Sequence, residues 1–287
     1  MLRALSSGVS GIQQFQNRLD VIGNNIANSN TIAFKSARAD FADAFSQTLQ
    51  VSSASSSGSG QAGMQVGSGV VTSAVKNLFT QGALNRTGVG TDLAISGDGF
   101  FTVKDPINGT EYATRAGDFR LDDSGYLITN KGLRVQGWIP TTASGARGDI
   151  QIDTQFLPAT TDPTATMSTF SIAANGSVNV HMSDGTDYVR GVIMLQRFND
   201  PQALLKAGDN LFSGMAAAGP LGGGTPLAEQ PGTNGLGYIE SSALELSNVD
   251  LANEFANLIA TQRGFQASAR IITVSDEILQ ELVNLKR

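Results

Sequence analysis

Both ends of this chain carry the same heptad pattern of apolar residues, which constrains the fold more than any other feature. Near the N-terminus, positions separated alternately by three and four residues read Leu2, Leu5, Val9, Ile12, Gln16, Leu19, Gly23 and Ile26. Six of these eight are apolar, and the spacing predicts a helix with a narrow coiled-coil stripe. The Asn-rich residues 24–30 then favour a helix end and a loop.

The last forty residues repeat this pattern. The C-terminal series reads Leu251, Phe255, Leu258, Gln262, Phe265, Ala269, Ile272, Asp276, Leu279 and Val283. Eight of these ten are apolar, which predicts a second helix about 50–55 Å long at about 1.5 Å per residue. Ser247-Asn248 is the predicted N-cap. Asp250 and Glu254 suit the positive start of this helix, and Lys286 and Arg287 suit its negative end.

The residues between these helices are of two kinds. Phe41, Phe45 and Leu49 are four apart and predict a shorter helix from Ser36 to about Leu49, followed by a Ser/Gly linker. Further on, Asn-Gly and Asp-Gly turn signals at short intervals are typical of β-structure. The predicted fold class is α+β, with a terminal helical coiled-coil domain (1–30 with 247–287), a helix and linker (31–65), and a central mainly β domain (66–246).

One hairpin can be registered from the sequence alone. Apolar residues alternate on both sides of Asn175-Gly176, and a three-residue loop, 175–177, keeps them on one face. That loop pairs Ile172 with Val180 and Phe170 with Met182, and predicts a glycine-centred bulge. The Gly/Pro/Ala-rich stretch 214–237 is predicted to be a long loop.

Composition argues against several classes of function. The net charge is −6 without a basic stripe, so we expect no nucleic-acid partner. There is no cysteine and one histidine, so we expect no metal site and no cofactor. Residues 1–8 lack the apolar run of a secretory signal peptide, and no window resembles a membrane span.

Candidate chemical motifs have simpler interpretations. Residues 58–63 fit G-x-G-x-x-G, but neither a strand precedes them nor a helix pattern follows, so a linker is favoured over a phosphate loop. His181 is predicted to face solvent on a strand, and no nucleophile can be assigned to it. An enzyme is therefore the weakest hypothesis. An adhesin with a coiled-coil stem is an alternative, but no signal peptide or anchor is apparent.

Several segments resemble the flagellar rod and hook family. They are residues 19–35 (LDVIGNNIANSNTIAFK), 91–101 (TDLAISGDGFF), 112–122 (YATRAGDFRLD) and the C-terminal stretches 244–251, 261–265 and 275–285. The C-terminal stretches are similar to hook proteins in particular. The resemblance covers both ends and much of the middle, in the expected order.

The resemblance implies a non-enzymatic subunit of the flagellar hook, with the distal rod as the alternative. Its terminal helices would form an inner coiled-coil layer around a central channel, and its β domain an outer layer. The stretch from Trp138 to about Phe170 is too short for the extra outer domain of some hook proteins, and the Ser/Gly linker resembles a rod-type extension.

The implied partners are further copies of the chain in a helical homopolymer, the other axial proteins (rod, hook cap and hook–filament junction) and the flagellar type III export apparatus. No small-molecule substrate is implied. Asn24, Asn25 and Asn28 can satisfy helix-end carbonyls, form hydrogen bonds between subunits, or both. An intramolecular helix pair without partners is the alternative interpretation of the heptads. We expect both termini to be largely disordered in the free monomer and to fold on assembly. The predicted assembly residues are Leu5, Val9, Ile12, Leu19, Ile22, Asn24, Asn25, Ile26, Asn28, Leu251, Phe255, Leu258, Phe265, Ile272, Leu279 and Val283.

Overall fold

A computed structural model of the chain describes residues 2–52, 62–139, 146–153, 165–220 and 229–285. The chain forms two compact units. The first, here the helical unit, comprises Met1–Ser29, Ser36–Leu78 and Val249–Arg287. The second, here the β unit, comprises Asn30–Lys35 and Phe79–Asn248. Two terminal helices and a mainly β middle confirm the predicted α+β class.

The helical unit holds both long helices, α1 (Leu2–Ala27) and α2 (Leu251–Leu285). The 35 residues of α2 span about 52 Å at about 1.5 Å per residue, as predicted. Its N-cap is Asp250, whose Oδ1 accepts hydrogen bonds from the backbone N–H groups of Ala252 (2.9 Å) and Asn253 (3.3 Å). The predicted cap at Ser247-Asn248 is therefore wrong, because Asp250 offers its carboxylate one residue before the first helical turn. Lys286 and Arg287 lie outside the described residues.

The predicted helix from Ser36 to Leu49 is also wrong, because this segment forms two strands. The strands of the helical unit are β1 (Ala37–Asp43), β2 (Ser46–Gln50), β3 (Met64–Gly67) and β4 (Val70–Asn77). The first pairs antiparallel with the fourth, and the second with the third. Strand β4 is rich in β-branched residues and pairs with β1. A helix prediction from local residue spacing takes no account of such a distant partner. Phe41 packs edge-on against Phe15 whereas Phe45 is exposed, so the two rings share no face.

The β unit consists of short strands. They are β5 (Leu84–Arg86), β6 (Leu93–Ser96), β7 (Phe100–Lys104), β8 (Glu111–Thr114), β9 (Arg120–Leu121), β10 (Leu127–Ile128), β11 (Arg134–Ile139), β12 (Ala146–Asp149), β13 (Met167–Ile172), β14 (Ser177–Met182), β15 (Asp187–Ile193), β16 (Leu195–Gln196), β17 (Leu205–Gly208), β18 (Leu211–Ser213), β19 (Tyr238–Ser241) and β20 (Ala243–Glu245). A 3₁₀ turn, Pro201–Ala203, precedes β17.

Most of these strands join one antiparallel sheet. Its order over the described residues is β13-β14-β15-β11-β7-β8-β18-β17, while β6 pairs with β19 and β5 with β20. The main core has fully buried side chains, among them Leu93, Ile95, Phe101, Val103 and Ile193. A second cluster of aromatic rings surrounds Phe100 and Phe212.

The predicted hairpin forms, but its register differs by two residues. Ile172 pairs with Val178 and Phe170 with Val180, so the three-residue loop is 174–176. Gly176 adopts φ +82° and donates its N–H to the Ala173 carbonyl at 2.9 Å. This loop type requires its left-handed residue at the third position, which places Gly176 there and moves the loop by one residue. A two-residue shift in pairing keeps the apolar face intact.

The described parts of residues 214–237 form turns and two isolated bridges, at Pro220 and Glu229, as expected for a long loop. Within the described part of the chain, no helix combines the length and apolarity needed to cross a membrane.

Candidate assembly interface

The two long helices pack against each other along a heptad seam. On α2, half-buried Leu258, Phe265, Ile272 and Leu279 alternate with Thr261, Ser268 and Ser275. Along α1, Ile22 is buried and the predicted residues Leu5, Ile12, Leu19 and Ile26 are half-buried. One side of the seam is thus a strict seven-residue repeat of large apolar and small hydroxyl side chains.

Small residues allow the helices to approach closely at this seam. A Cβ on Gly8 would lie 3.3 Å from Ile272, and one on Gly11 would lie 3.1 Å from Ser268 Oγ. A Cβ on Gly264 would come within 2.7 Å of the Phe15 ring, which Phe41 contacts edge-on. Phe15, which falls off the predicted stripe, is therefore covered within one chain.

The hydroxyl-bearing residues of the seam were not among the residues predicted from the apolar heptad pattern. Thr261 Oγ1 donates to the Asn257 carbonyl at 2.6 Å, and Ser275 Oγ donates to the Ile271 carbonyl at 2.7 Å. Because these hydroxyls are satisfied inside α2, they can be buried at an apolar contact. The signal in the sequence is the recurrence of Thr or Ser every seven residues.

Other predicted residues point away from this seam. Leu251 and Phe255 are 43% and 51% exposed, Val283 is 66% exposed and Val9 is 39% exposed. In the second half of α2 a further apolar row is about half exposed or more: Ile271, Val274, Ile278, Leu282 and Leu285. A single chain therefore leaves long apolar stretches of α2 in contact with water.

The asparagine cluster divides into two roles. Asn28 Nδ2 donates to the Asn24 carbonyl at 2.9 Å and to its side chain at 3.0 Å, which satisfies a carbonyl at the α1 end. Asn25 is buried, donates to the Ala37 carbonyl at 2.8 Å and to Glu254 Oε1 at 3.2 Å, and accepts from Ala37 N–H at 2.9 Å. Asn25 thus ties α1 to β1 and α2. Hydrogen bonding of these residues between subunits stays a prediction.

The β unit contains a buried ion cluster that the sequence did not reveal. Lys35 Nζ lies 2.6 Å from Glu245 Oε1 and donates to the Thr80 carbonyl at 2.7 Å. Arg115 Nη1 lies 3.5 Å from Glu245 Oε2, and Gly82 N–H donates to Oε1 at 2.8 Å. Burial lowers the pKa of Lys35 while the Glu245 carboxylate raises it, and burial also lowers the pKa of Arg115.

A second polar row crosses β13, β14 and β15. His181 Nε2 lies 3.2 Å from Ser171 Oγ, and its Nδ1 lies 2.5 Å from Asp187 Oδ1. The order resembles a nucleophile–base–acid row, but the His181 and Asp187 side chains are 39% and 63% exposed. Water therefore reaches both side chains. Among the described residues, no group of three or more potential metal ligands is assembled.

Three family models match the chain. Residues 5–35 match the flagella basal body rod protein model, residues 94–180 the D1 domain of flagellar hook protein FlgE/F/G, and residues 240–285 the C-terminal model of flagellar basal body rod FlgEFG proteins.

Full-length relatives carry the same family names. The chain is 42% identical to the flagellar basal-body rod protein FlgG of Bacillus subtilis and 33% identical to that of Borreliella burgdorferi, over all of each protein. It is also 28% identical to the flagellar hook protein FlgE of B. burgdorferi, again over all of both. The Helicobacter pylori hook protein FlgE2 structure overlaps with a TM-score of 0.23 and 14% identity, over 65% of this chain and 47% of that one, too little to bear on the fold.

Identity of 42% over the whole length, together with family models at both ends and in the middle, identifies the chain as a member of the flagellar rod and hook family, whose members are axial structural subunits of the flagellum.

Proposed function

We propose that this chain polymerises with copies of itself into a hollow helical tube of the flagellar axis. The observation that carries the proposal is the exposed apolar row on α2, from Ile271 to Leu285. Monomeric proteins rarely leave so extended an apolar surface in water. Heterologous contacts that do not close on themselves generate helical assemblies, and such contacts would cover this row.

The hook is the first candidate for the segment that the chain builds, where the tube would transmit torque from the motor to the filament. Support comes from the C-terminal residues that resemble hook proteins and from a hook-named relative aligned over the whole chain.

The distal rod is the second candidate, and specific observations favour it. The alignments with the two rod-named relatives span 293 and 290 positions, close to the 287 residues of this chain. The alignment with the hook-named relative spans 448 positions. The Ser/Gly-rich stretch after Leu49 also resembles a rod-type extension. Location in the cell separates the two candidates.

The role proposed here is structural and involves no catalysis. Export through the flagellar apparatus without a cleavable signal peptide, and contacts with the rod, the hook cap and the hook–filament junction, are further parts of the proposal. They are supported by membership of the family.

Electron microscopy of the concentrated purified protein tests polymerisation. Tubes with a central channel would support the proposal, and discrete soluble oligomers would contradict it. Labelled protein then distinguishes the candidates, because a hook lies outside the outer wall of the cell and a rod lies within it.

The terminal helices are proposed to become ordered only when neighbouring copies cover their apolar rows. NMR of the dilute monomer tests this. Broad, poorly dispersed signals are expected for residues 2–28 and 250–285, and rigid, dispersed signals would contradict it.

A further inference from the structure

Three Asn-Gly pairs lie in turns of the β unit, at residues 108–109, 175–176 and 234–235. In such a pair the backbone nitrogen of the glycine can attack the side-chain amide of the asparagine, because glycine has no Cβ to obstruct the approach. All three asparagines are exposed, so water reaches each side chain. The pairs differ in what the glycine N–H does.

In two of the pairs the glycine N–H is hydrogen-bonded. Gly109 N–H donates to the Asp105 carbonyl at 2.9 Å, and Gly176 N–H donates to the Ala173 carbonyl at 2.9 Å. Each bond holds the proton between nitrogen and oxygen, so it must break before the nitrogen can lose that proton and move towards the side chain. Gly176 is also buried. Local structure therefore protects both pairs.

The third pair lies at the centre of a tight turn that leaves the glycine N–H free. Leu236 N–H donates to the Thr233 carbonyl at 2.8 Å, and the central residues, Asn234 and Gly235, have φ of +47° and +79°. Positive φ at both central residues is typical of a type I′ turn, whose hydrogen bond uses the N–H of the fourth residue and not that of the third. Gly235 N–H has no acceptor among the described residues.

Two charged side chains favour attack at this third pair. Arg197 Nη1 donates to the Asn234 carbonyl at 3.3 Å and would lie 2.9 Å from a Cβ on Gly235. Its positive charge stabilises the negative charge that forms when the Gly235 nitrogen loses its proton. Glu229 Oε2 accepts a hydrogen bond from Asn234 Nδ2 at 2.7 Å. Its negative charge stabilises this nitrogen as it gains a proton and leaves.

We propose that Asn234 deamidates spontaneously in the folded chain and is a site of slow chemical modification. Hydroxide removes the Gly235 N–H proton, and the nitrogen forms a bond to Asn234 Cγ, which closes a succinimide ring. The bond from Cγ to Nδ2 breaks, and Nδ2 takes a proton from water and leaves as ammonia, which regenerates hydroxide. One water molecule then opens the ring at either of its C–N bonds and gives aspartate or isoaspartate. The reaction needs only the β unit and water, and it is independent of polymerisation.

Either product disturbs the turn. A carboxylate replaces the amide that donates to Glu229, so two like charges face each other. Isoaspartate also adds one carbon atom to the backbone between Thr233 and Leu236, whose hydrogen bond closes the turn. Leu236 is buried in the main core, and the next residue, Gly237, donates its N–H to the Asp98 carbonyl at 2.7 Å. Modification should therefore lower the stability of the β unit.

Peptide mapping by mass spectrometry tests the site in full-length protein incubated at mildly alkaline pH, with fresh protein as the reference. In the folded chain, Asn234 should convert about fivefold or more faster than Asn108 and Asn175, the factor to which one protecting backbone hydrogen bond corresponds. In urea that unfolds the chain, the three rates should become similar, because each asparagine is then followed by an unrestrained glycine.

A pair of glycine variants tests the effect on stability. Asn234→Gly removes the reactive amide, and glycine adopts positive φ without strain. Unfolding in urea, followed by the fluorescence of Trp138, should show a lower midpoint for aged than for fresh wild type, and no such difference for Asn234→Gly. The matched variant Asn175→Gly keeps the reactive pair and should lose stability on ageing as wild type does.

Conversion of Asn234 no faster than that of the other two asparagines in the folded chain would overturn the proposal. A preference of the same size that persists in urea would also overturn it, since the cause would then be the local sequence and not the turn. An equal loss of stability on ageing in Asn234→Gly would rule out modification of Asn234 as the cause of that loss. None of these results depends on whether the protein forms tubes, so they are distinguishable from a failure of the proposed function.

Discussion

Lys35 and Glu245 lie 210 positions apart in the sequence, and their fully buried side chains form an ion pair with 2.6 Å between Nζ and Oε1. Lys35 is the last residue of the β unit before the chain enters the helical unit at Ser36. Glu245 lies four residues before the chain enters the helical unit again at Val249. Thr80, just after the crossing at Phe79, accepts from both Lys35 Nζ and Asn248 Nδ2. The residues of this polar cluster all belong to the β unit. They lie close in sequence to three of the positions where the chain passes from one unit to the other.

Removing either partner of this buried pair should destabilise the β unit strongly. Lys35→Met leaves Glu245 with Arg115 and the Gly82 N–H, whereas Glu245→Gln leaves two buried cations without a counter-charge. We expect a loss of about 3–5 kcal/mol, larger for Glu245→Gln than for Lys35→Met. Urea unfolding followed by the fluorescence of Trp138, the single tryptophan, measures the β unit.

The double variant provides the control for this pair. Lys35→Met with Glu245→Gln should cost less than the sum of the single changes, because neither charge is left unpaired by the loss of the other. Additive costs would indicate that the two side chains act independently.

Gly264→Ala and Gly23→Ala should have opposite effects. A Cβ at Gly264 would lie 2.7 Å from the Phe15 ring, whereas one at Gly23 meets nothing within 4 Å. Replacing a Gly inside a helix by Ala stabilises the helix by up to about 1 kcal/mol. Gly23→Ala should therefore raise the stability of the helices. Overpacking costs about 1–3 kcal/mol, so Gly264→Ala should be destabilising on balance.

Melting of the helical circular dichroism signal in assembled protein compares these two variants. A higher melting temperature for Gly264→Ala would show that the helices do not approach as closely as the seam requires.

Asn25→Ala should weaken the helical unit by about 1–3 kcal/mol, because it removes the buried Asn25 amide and leaves the N–H and carbonyl of half-buried Ala37 without this partner. Its exposed neighbour provides a matched comparison, and Asn24→Ala should cost much less. Thermal disassembly of the polymer measures both variants. Equal effects would mean that the buried hydrogen bonds of Asn25 contribute nothing specific.

Asp118→Asn should stabilise the β unit at pH 7. Asp118 lines a cavity of about 340 Å³ and accepts a hydrogen bond from Asn130 Nδ2 at 2.6 Å. Burial raises its pKa above 3.8, and the nearby Asp92 carboxylate raises it further. The folded state therefore favours the protonated form, and stability falls as pH rises through the folded pKa.

The amide variant cannot ionise, so it should melt at a higher temperature than wild type at pH 7. The difference should disappear at pH 3, below the ordinary pKa, where the carboxyl group is also neutral. The same difference at both pH values would rule out ionisation as the cause.

The sequence supported the helices and the class of fold because heptad periodicity is a local property of the chain. It predicted four residues of the α2 seam, from Leu258 to Leu279. The other half of the seam could not be found by counting apolar residues, because Thr261, Ser268 and Ser275 are polar, and the hydroxyls of the first and last are satisfied within the helix.

Features that depend on pairing between residues far apart in the sequence could not be predicted from local patterns. The spacing of Phe41, Phe45 and Leu49 predicted a helix. The segment instead begins with strand β1, because β4, about thirty residues further along the chain, pairs with it. The Lys35–Glu245 pair likewise joins residues that no local pattern relates. The exposed apolar row of α2 became recognisable only when the seam identified the face that α1 covers.

Thiol labelling at position 278 tests most directly whether other copies cover the exposed row of α2. The chain has no cysteine, so Ile278→Cys provides a single reactive group. Ile278 is 42% exposed in one chain, so the introduced thiol should react readily in dilute monomer and become strongly protected in sedimented tubes. A separate Ile107→Cys variant, at an exposed position of the β unit, is the reference for reagent access. Equal reactivity of the thiol at position 278 in monomer and tube, with the reference unchanged, would contradict assembly through this row.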